Sequence, residues 1–180
     1  MKKMKYKQLS LLFLISGIII GCNQKTSKKS MLNNNIGIII NSKTVSVIDK
    51  LRGKQLDLSS ILEDTSNVRI VYLFNYYDCE ICIGNGFKVV NKIDSLKGDG
   101  YVKVIESRCP EVNSLQRHFQ YFGYIFNDEK DEIRKILKYS PTPILLLLNS
   151  THQICDVCPF YEGESDENKI NQFIQKIKNF

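Results

Sequence analysis

The chain has no apolar run long enough to cross a bilayer and no acidic residue before Asp49. The apolar stretch at residues 9–20 has about a dozen residues, whereas a membrane-spanning helix needs ~20. Beyond residue 21 there is no Lys/Arg-rich stripe with interleaved aromatic residues, so a nucleic-acid partner is not expected. There is also no internal repeat, which excludes a repeat architecture.

The first residues have the order of features of an export signal. Four lysines among the first seven residues are followed by the apolar stretch, and the small residue Gly21 precedes Cys22. This order resembles the lipobox of bacterial lipoproteins. The resemblance implies that the chain is cut before Cys22, whose thiol then carries diacylglycerol. Several acyl chains, such as palmitate, give stable anchoring at ~0.8 kcal/mol per buried CH₂. An uncleaved anchor with an incidental cysteine is the alternative.

The expected signal also changes the charge balance. The formal net charge is +6, but without the four lysines of the signal it falls to +2, so the basicity says little about partners. Residues 23–35 are rich in Asn, Ser, Thr and Lys, a composition typical of a flexible spacer. We therefore expect a signal peptide at 1–21, the lipidated Cys22 with a tether at 22–40, and one domain at 41–180. The expected location is the bacterial cell envelope, facing the periplasm or the exterior.

The apolar pattern alternates between strand and helix. Strands are predicted at residues 44–49, 68–75, 101–106, 144–148 and 153–157. Helices are predicted at 82–96, 111–122, 128–139 and 168–178, with a helical turn at 56–62 and an edge strand considered at 36–40. The runs at 68–75 and 144–148 are almost wholly apolar, which is typical of strands buried on both faces. The order β-α-β-α-β-β-α predicts an α/β fold.

Six cysteines are many for a chain of this size. Lipid on Cys22 leaves five, and an odd number leaves at least one thiol without a partner in the chain. Cys109 precedes Pro110 at a predicted strand-to-helix turn and is expected to be that lone thiol. The other four form two CxxC pairs: Cys79 with Cys82, and Cys155 with Cys158.

Cys79-Glu80-Ile81-Cys82 joins a predicted strand to a predicted helix. A cysteine that opens a helix lies near unpaired N–H groups and the positive end of the helix dipole, which favours its thiolate. Cys82 lies about one turn later, within reach of a mixed disulfide formed at Cys79. The pattern therefore predicts a redox pair with Cys79 as the nucleophile and Cys82 as the resolving thiol.

The sequence Ser140-Pro141-Thr142-Pro143 lies some sixty residues later and leads into the apolar strand at 144–148. Together with the strand–CxxC–helix unit it resembles the thioredoxin superfamily. Residues 46–59 further resemble the segment that precedes the first core strand in membrane-anchored TlpA-like and redoxin proteins. The resemblance covers roughly residue 44 to the C-terminus. It implies a thioredoxin-like fold, a central mixed sheet flanked by helices with an N-terminal β extension. It also implies a cis Thr142–Pro143 bond opposite the CxxC pair, where Thr142, Pro143 and Tyr76 bind the substrate chain.

Two positions depart from the family pattern. Tyr76 stands where the family usually has tryptophan, three residues before the first cysteine. The residues between the cysteines are Glu80 and Ile81 rather than Gly and Pro. An anion at Glu80 disfavours the Cys79 thiolate, whereas the helix dipole favours it. The sequence therefore leaves the reduction potential of the pair open.

Other roles for the cysteines also stay open. Cys79 and Cys82 form a structural disulfide in one alternative. In a second, they join the other CxxC pair in a four-thiolate zinc site, although the loop between the pairs is far longer than in zinc ribbons. The third alternative is copper delivery, but copper-delivering relatives use CxxxC with a downstream histidine, whereas the spacing here is CxxC. For Cys155 and Cys158 the alternatives are a local disulfide, a redox relay to the Cys79–Cys82 pair, or two buried thiols. Residues i and i+3 of a strand face opposite ways, so their pairing requires a turn or bulge.

Three further groups of residues are placed by pattern alone. Tyr121, Phe122, Tyr124 and Phe126 are expected to pack in the core. His118 falls within a helical pattern, and His152 falls at a hairpin turn.

We therefore expect a lipid-anchored thiol–disulfide oxidoreductase, TlpA-like and acting as a reductase, with no metal or cofactor. Its expected partners are cysteine-containing exported proteins, the membrane and an unidentified electron donor. The alternative is a non-enzymatic surface lipoprotein that uses its cysteines as structural disulfides or as zinc or copper ligands.

Overall fold

A computed structural model of the chain describes residues 46–47, 49–108, 118–161 and 167–178. All of them belong to one of the two units into which the chain divides, Ile38–Phe180. Five strands are named in chain order as β1 Ile70–Asn75, β2 Val102–Ser107, β3 Ile125–Asp128, β4 Ile144–Leu148 and β5 Ile154–Pro159. Three helices are named α1 Glu80–Lys97, α2 Glu132–Ile136 and α3 Glu167–Lys178. None of the helices among the described residues has the length and apolarity needed to span a membrane.

The strands form one mixed sheet in the order β3-β2-β1-β4-β5. β1, β2 and β3 are parallel, whereas β4 runs antiparallel to both β1 and β5. The parallel connection from β1 to β2 passes through α1, as a crossover between parallel strands requires. With β4 and β5 as an antiparallel hairpin beside β1, this is the strand order of the thioredoxin-like fold. The predicted fold class is confirmed.

The sheet has a hydrophobic core on each face. α1 lies against β1 and β2 and α3 against β5 on one face, where Phe87, Ile93 and Phe173 belong to one hydrophobic cluster with side chains of the sheet. The opposite face is covered by α2 and by the segment that precedes β1, including Leu56 and Leu58. β1 and β4 are buried along their whole length because both of their faces are covered, as their apolar runs predicted.

The N-terminal part of the domain differs from the prediction. Residues 44–49 were expected to form a strand, but 46, 47 and 49–51 are helical. Val47 and Leu51 are four residues apart and both enter the core, and this spacing places them on one face of a helix. Among the described residues that precede β1, an antiparallel bridge between Gln55 and Gln153 stands in place of the expected β extension. A helical turn follows, in which Leu58 accepts a bond from the Leu62 N–H, as expected.

The region between β2 and β4 also differs. Asp128 ends β3, a strand the pattern did not reveal, so the helix predicted at 128–139 is reduced to α2. Asp131 has a left-handed φ of 58°, which prevents an earlier start. The core prediction for the aromatic run holds for Tyr121 but is wrong for Phe122 and Tyr124, which are 97% and 71% exposed. The edge strand considered at 36–40 lies outside the described residues, as does the part 111–117 of the helix predicted at 111–122.

Helix α1 approaches β1 closely at Gly86. The buried Tyr72 hydroxyl donates a hydrogen bond to the Ile83 carbonyl at 2.9 Å. A Cβ atom added at Gly86 would overlap this hydroxyl and the ring carbons beside it. Glycine at this position therefore lets the first turns of α1 lie against the central strand.

We expect Gly86→Ala to lower the free energy of unfolding by about 1–3 kcal/mol, because Tyr72 is buried and cannot move aside. Gly84→Ala in the same helix is the matched control. A Cβ there would lie 3.3 Å from a ring carbon of Phe119, and the better helix propensity of alanine offsets the contact by about 0.5–1 kcal/mol. Urea denaturation measures both variants. Equal losses in the two would show that close packing on Tyr72 is not the constraint.

Candidate functional site

Cys79 lies in the turn that connects β1 to α1. The turn begins with the side chain of Asn75, whose Oδ1 accepts the Tyr77 N–H at 3.0 Å. The Asp78 N–H then donates to the Asn75 carbonyl at 2.9 Å. These bonds reverse the chain at the end of the strand, so that Cys79 becomes the N-cap residue of α1.

The Cys79 sulfur caps the helix. Its Sγ accepts the backbone N–H of Cys82 at 3.4 Å, and its carbonyl accepts the Ile83 N–H at 2.9 Å. Cys79 is half-buried, whereas Cys82 is 2% exposed. Of the two thiols, only that of Cys79 is open to a partner, as its predicted role requires.

The loop of Thr142 and Pro143, hereafter the Pro143 loop, lies next to this turn. The Thr142–Pro143 bond is cis, as expected. β4 begins directly after it and pairs antiparallel with β1, so that Ile144 lies opposite Leu73. The end of β1 and the start of β4 therefore meet at one edge of the sheet. The structure thus brings Cys79, Cys82 and the Pro143 loop together across 60 residues of sequence.

Asp78 connects the two loops. Its Oδ1 accepts the Thr142 hydroxyl at 3.0 Å, and its Oδ2 accepts the Asn75 N–H at 2.8 Å. Burial raises the pKa of Asp78, while these two hydrogen bonds and the positive charge of Arg134 act in the opposite direction. The sequence does not single out Asp78, because a carboxylate next to a turn has no signature of its own.

An aromatic cleft of about 520 Å³ adjoins the cysteine pair. Its lining residues are Tyr76, Tyr77, Asp78, Glu80, Ile83, His118 and Phe119. Tyr77 is 82% exposed and, beside the cleft, Ile81 is 68% exposed. The rings of Tyr76 and Tyr77 meet edge to face with centroids 5.3 Å apart. A group of exposed apolar side chains such as this is typical of a surface that binds another chain.

Glu80 is paired with a histidine that the sequence did not connect to it. The Oε1 atom of Glu80 lies 2.7 Å from Nε2 of His118, and both side chains are largely exposed. When His118 is protonated, its charge compensates the carboxylate that stands between the two cysteines. The 38 residues that separate the pair in sequence carry no pattern that would have revealed it. The other histidine, His152, makes a different contact: its ring is hydrogen-bonded to the Thr65 carbonyl at 2.7 Å.

The second cysteine pair lies in β5. Leu147 pairs with Asp156 while Leu148 pairs with Ile154, so Cys155 is the extra residue of a β-bulge. The bulge turns Cys155 toward the same core as Cys158. Three steps along a strand still span about 10 Å between Cα atoms, whereas a disulfide requires about 4.4–6.8 Å. A local disulfide therefore does not fit this strand.

The described residues contain neither a disulfide nor a cluster suited to a metal. No disulfide is recorded at Cys79, Cys82, Cys155 or Cys158. Within the same part of the chain, no three His, Cys, Asp or Glu side chains come together as metal ligands would. The four-thiolate zinc set that the spacing allowed is therefore not formed. Cys22 and Cys109 lie outside the described residues.

No family model matches the chain, and no curated protein matches it. Several solved structures are similar. One is a secreted Mycobacterium tuberculosis disulfide oxidoreductase homologous to Escherichia coli DsbE, at 10% identity and a TM-score of 0.47, covering 67% of this chain and 87% of that one. Another is a thioredoxin-like superfamily protein, at 11% identity and a TM-score of 0.49, covering 70% and 95%. A third is a thioredoxin-like protein in the oxidised form, at 14% identity and a TM-score of 0.47, covering 71% and 98%.

At these identities and TM-scores, such likenesses say nothing about the activity of this chain. The fold assignment rests on the strand order described above.

Proposed function

We propose that the chain is a TlpA-like thiol–disulfide oxidoreductase of the thioredoxin superfamily, acting as a reductase on cysteines of exported proteins. The observation that carries the proposal is the position of Cys79. Its sulfur caps α1 and accepts the Cys82 N–H, next to the Pro143 loop and an exposed aromatic cleft. A cysteine placed only for structure has no need of this combination of exposure, helix N-terminus and adjoining cleft.

The reaction proceeds by two exchanges. The Cys79 thiolate attacks one sulfur of a client disulfide, forms a mixed disulfide and expels the other client sulfur as a thiolate. Cys82, as a thiolate, then attacks the Cys79 sulfur, closes the Cys79–Cys82 disulfide and releases the second client thiolate. The client gains two electrons and takes up two protons, and the chain loses two electrons. A protein donor of thiols must then reduce the pair again.

The different burial of the two sulfurs supports this order. Cys82 packs in the core with Ile83 and Phe87, where a client disulfide does not reach it. It lies one helical turn from Cys79, whose sulfur already contacts its backbone N–H. A resolving thiol in this position meets the mixed disulfide but no other substrate.

The aromatic cleft supports a polypeptide client. Tyr76 and Tyr77 offer flat apolar surfaces beside Cys79, and aromatic side chains with polar ends suit contact with a partner chain. The Pro143 loop lies on the same edge of the sheet, where the resemblance implies that it receives the client backbone. Thr142, Pro143 and Tyr76 are therefore proposed as client-binding residues.

We further propose that the domain is held at the cell envelope by lipid on Cys22, after cleavage of a signal at 1–21, with 22–40 as a tether. The support is the order of charge, apolar run, small residue and cysteine. These residues lie outside the described part of the chain.

The test of the redox proposal is a trap. In Cys82→Ser, an attack by Cys79 ends at the mixed disulfide because no resolving thiol remains. We expect the reduced variant to form a stable one-to-one adduct with a model peptide that contains a disulfide. Mass spectrometry of the intact protein detects this adduct. Cys79→Ser should form no such adduct.

A variant with Cys155→Ser and Cys158→Ser is the matched control for the second pair, and we expect it to retain disulfide reduction. If Cys82→Ser captured no peptide while Cys79→Ser still reduced it, the assignment of the active pair would be wrong.

The anchor is tested by metabolic labelling in a bacterium that expresses the full chain. We expect labelled palmitate to enter the chain, and Cys22→Ser to abolish the label and move the protein out of the membrane fraction. Cys79→Ser controls for acylation at another thiol and should keep the label. Equal labelling of the wild type and Cys22→Ser would contradict lipidation at this residue.

A further inference from the structure

Both carboxylate oxygens of Asp78 are used to join the two loops of the proposed site. Oδ1 receives the Thr142 hydroxyl at 3.0 Å, and Oδ2 receives the Asn75 N–H at 2.8 Å. Asp78 directly precedes Cys79, and Thr142 directly precedes Pro143. One side chain therefore connects the residue before the nucleophile to the residue before the proline that faces it.

Each loop is also anchored separately to the sheet. On the nucleophile side, the Asn75 side-chain amide donates to the Ser107 carbonyl at 2.9 Å, which ties the turn to β2. On the other side, the Pro143 carbonyl accepts the Phe160 N–H at 2.9 Å, which ties the Pro143 loop to the end of β5. These anchors fix each loop to its own strands. The Asp78–Thr142 bond spans the space between the loops.

Several charged and titratable groups surround Asp78. From α2, the positive charge of Arg134 favours the ionised carboxylate. Arg134 itself lies 3.7 Å from an Asp131 oxygen and 5.6 Å from the centre of the Tyr139 ring. From β1, the Tyr72 hydroxyl faces it, and burial, then the charge of Asp78, raise the pKa of Tyr72. Along the chain, Asp78 directly precedes Cys79, the N-cap residue of α1.

We infer that Asp78 is a positioning residue for the exchange reaction, and that its bond to Thr142 sets the separation between the Cys79 sulfur and the Pro143 loop. The inference rests on the proposed function. A client must present its disulfide to Cys79 while its backbone lies along the Pro143 loop, so the separation of the two loops decides whether a polypeptide reacts. A small disulfide that touches only the sulfur does not depend on that separation in the same way.

The experiment compares two substrates in the full chain. The second-order rate constant for attack by Cys79 is measured with a disulfide-bonded peptide and with a small aromatic disulfide, and their ratio is the readout. A change in the intrinsic reactivity of Cys79 alters both rate constants and cancels in the ratio.

We expect Asp78→Ala and Thr142→Val each to lower the peptide-to-small-disulfide ratio about tenfold, the size of effect expected from loss of one hydrogen bond to a charged group. Thr142→Val matters most, because it removes the hydroxyl and leaves the charge of Asp78 in place. Thr142→Ser keeps a hydroxyl and should restore the ratio to within about threefold of the wild type. The double variant should fall no further than either single variant, since both remove the same bond.

Asp64→Ala is the matched control. This exposed carboxylate accepts the Ser66 N–H at 2.8 Å and lies before β1, at the end of the strand away from Cys79. Its removal should leave the ratio at the wild-type value. Thr142→Ala removes the same hydroxyl without the branched methyl group and gives a second test if valine perturbs folding.

The outcomes separate this inference from the proposed function. A wild-type ratio in both Thr142→Val and Thr142→Ala would overturn the positioning role, even with Asp78→Ala impaired, because Asp78 would then act through its charge. A wild-type chain that reacts with neither disulfide would overturn the proposed function and this inference with it. A tenfold fall that Thr142→Ser reverses would support the bond as the device that sets the loop separation.

Discussion

The antiparallel pairing of β1 with β4 is the constraint on which the site depends. Leu73 lies opposite Ile144, so the turn that carries Cys79 and the Pro143 loop leave the sheet at the same edge. Both strands are buried on both faces. A slip of one residue would exchange the side chains that enter the two cores, so the register is strongly specified. The separation between the Cys79 turn and the Pro143 loop follows from that register.

Helix α1 positions the proposed redox pair at the end of β1. Gly86 lets the helix lie against Tyr72, and the Tyr72 hydroxyl satisfies the Ile83 carbonyl in the first turns of the helix. The helix N-terminus is thereby held at the end of β1, with the Cys79 sulfur on an N–H of the first turn. Asp78 then connects this terminus to the Pro143 loop. The packing of the core and the position of the proposed redox pair are thus consequences of the same few contacts.

Local patterns predicted the central elements well, because they follow from composition within a short window. Continuous apolar runs indicated β1 and β4, and helical spacing with Gly98 indicated the extent of α1. The errors arose where partners distant in sequence decide the structure. β3 is four residues long and has no alternation to detect, and Val47 enters a core that the sequence does not show. Asp78 was missed for the same reason, since its role depends on Thr142, 64 residues away.

The central claim is that Cys79 and Cys82 exchange electrons with client proteins rather than form a structural disulfide. The most direct measurement is the reduction potential of this pair in the purified chain, obtained by titration with reduced and oxidised glutathione. We expect a value in the range of catalytic thiol pairs, about −120 to −270 mV, with the disulfide mapped to Cys79 and Cys82. A value below about −300 mV, typical of structural disulfides, would contradict the claim.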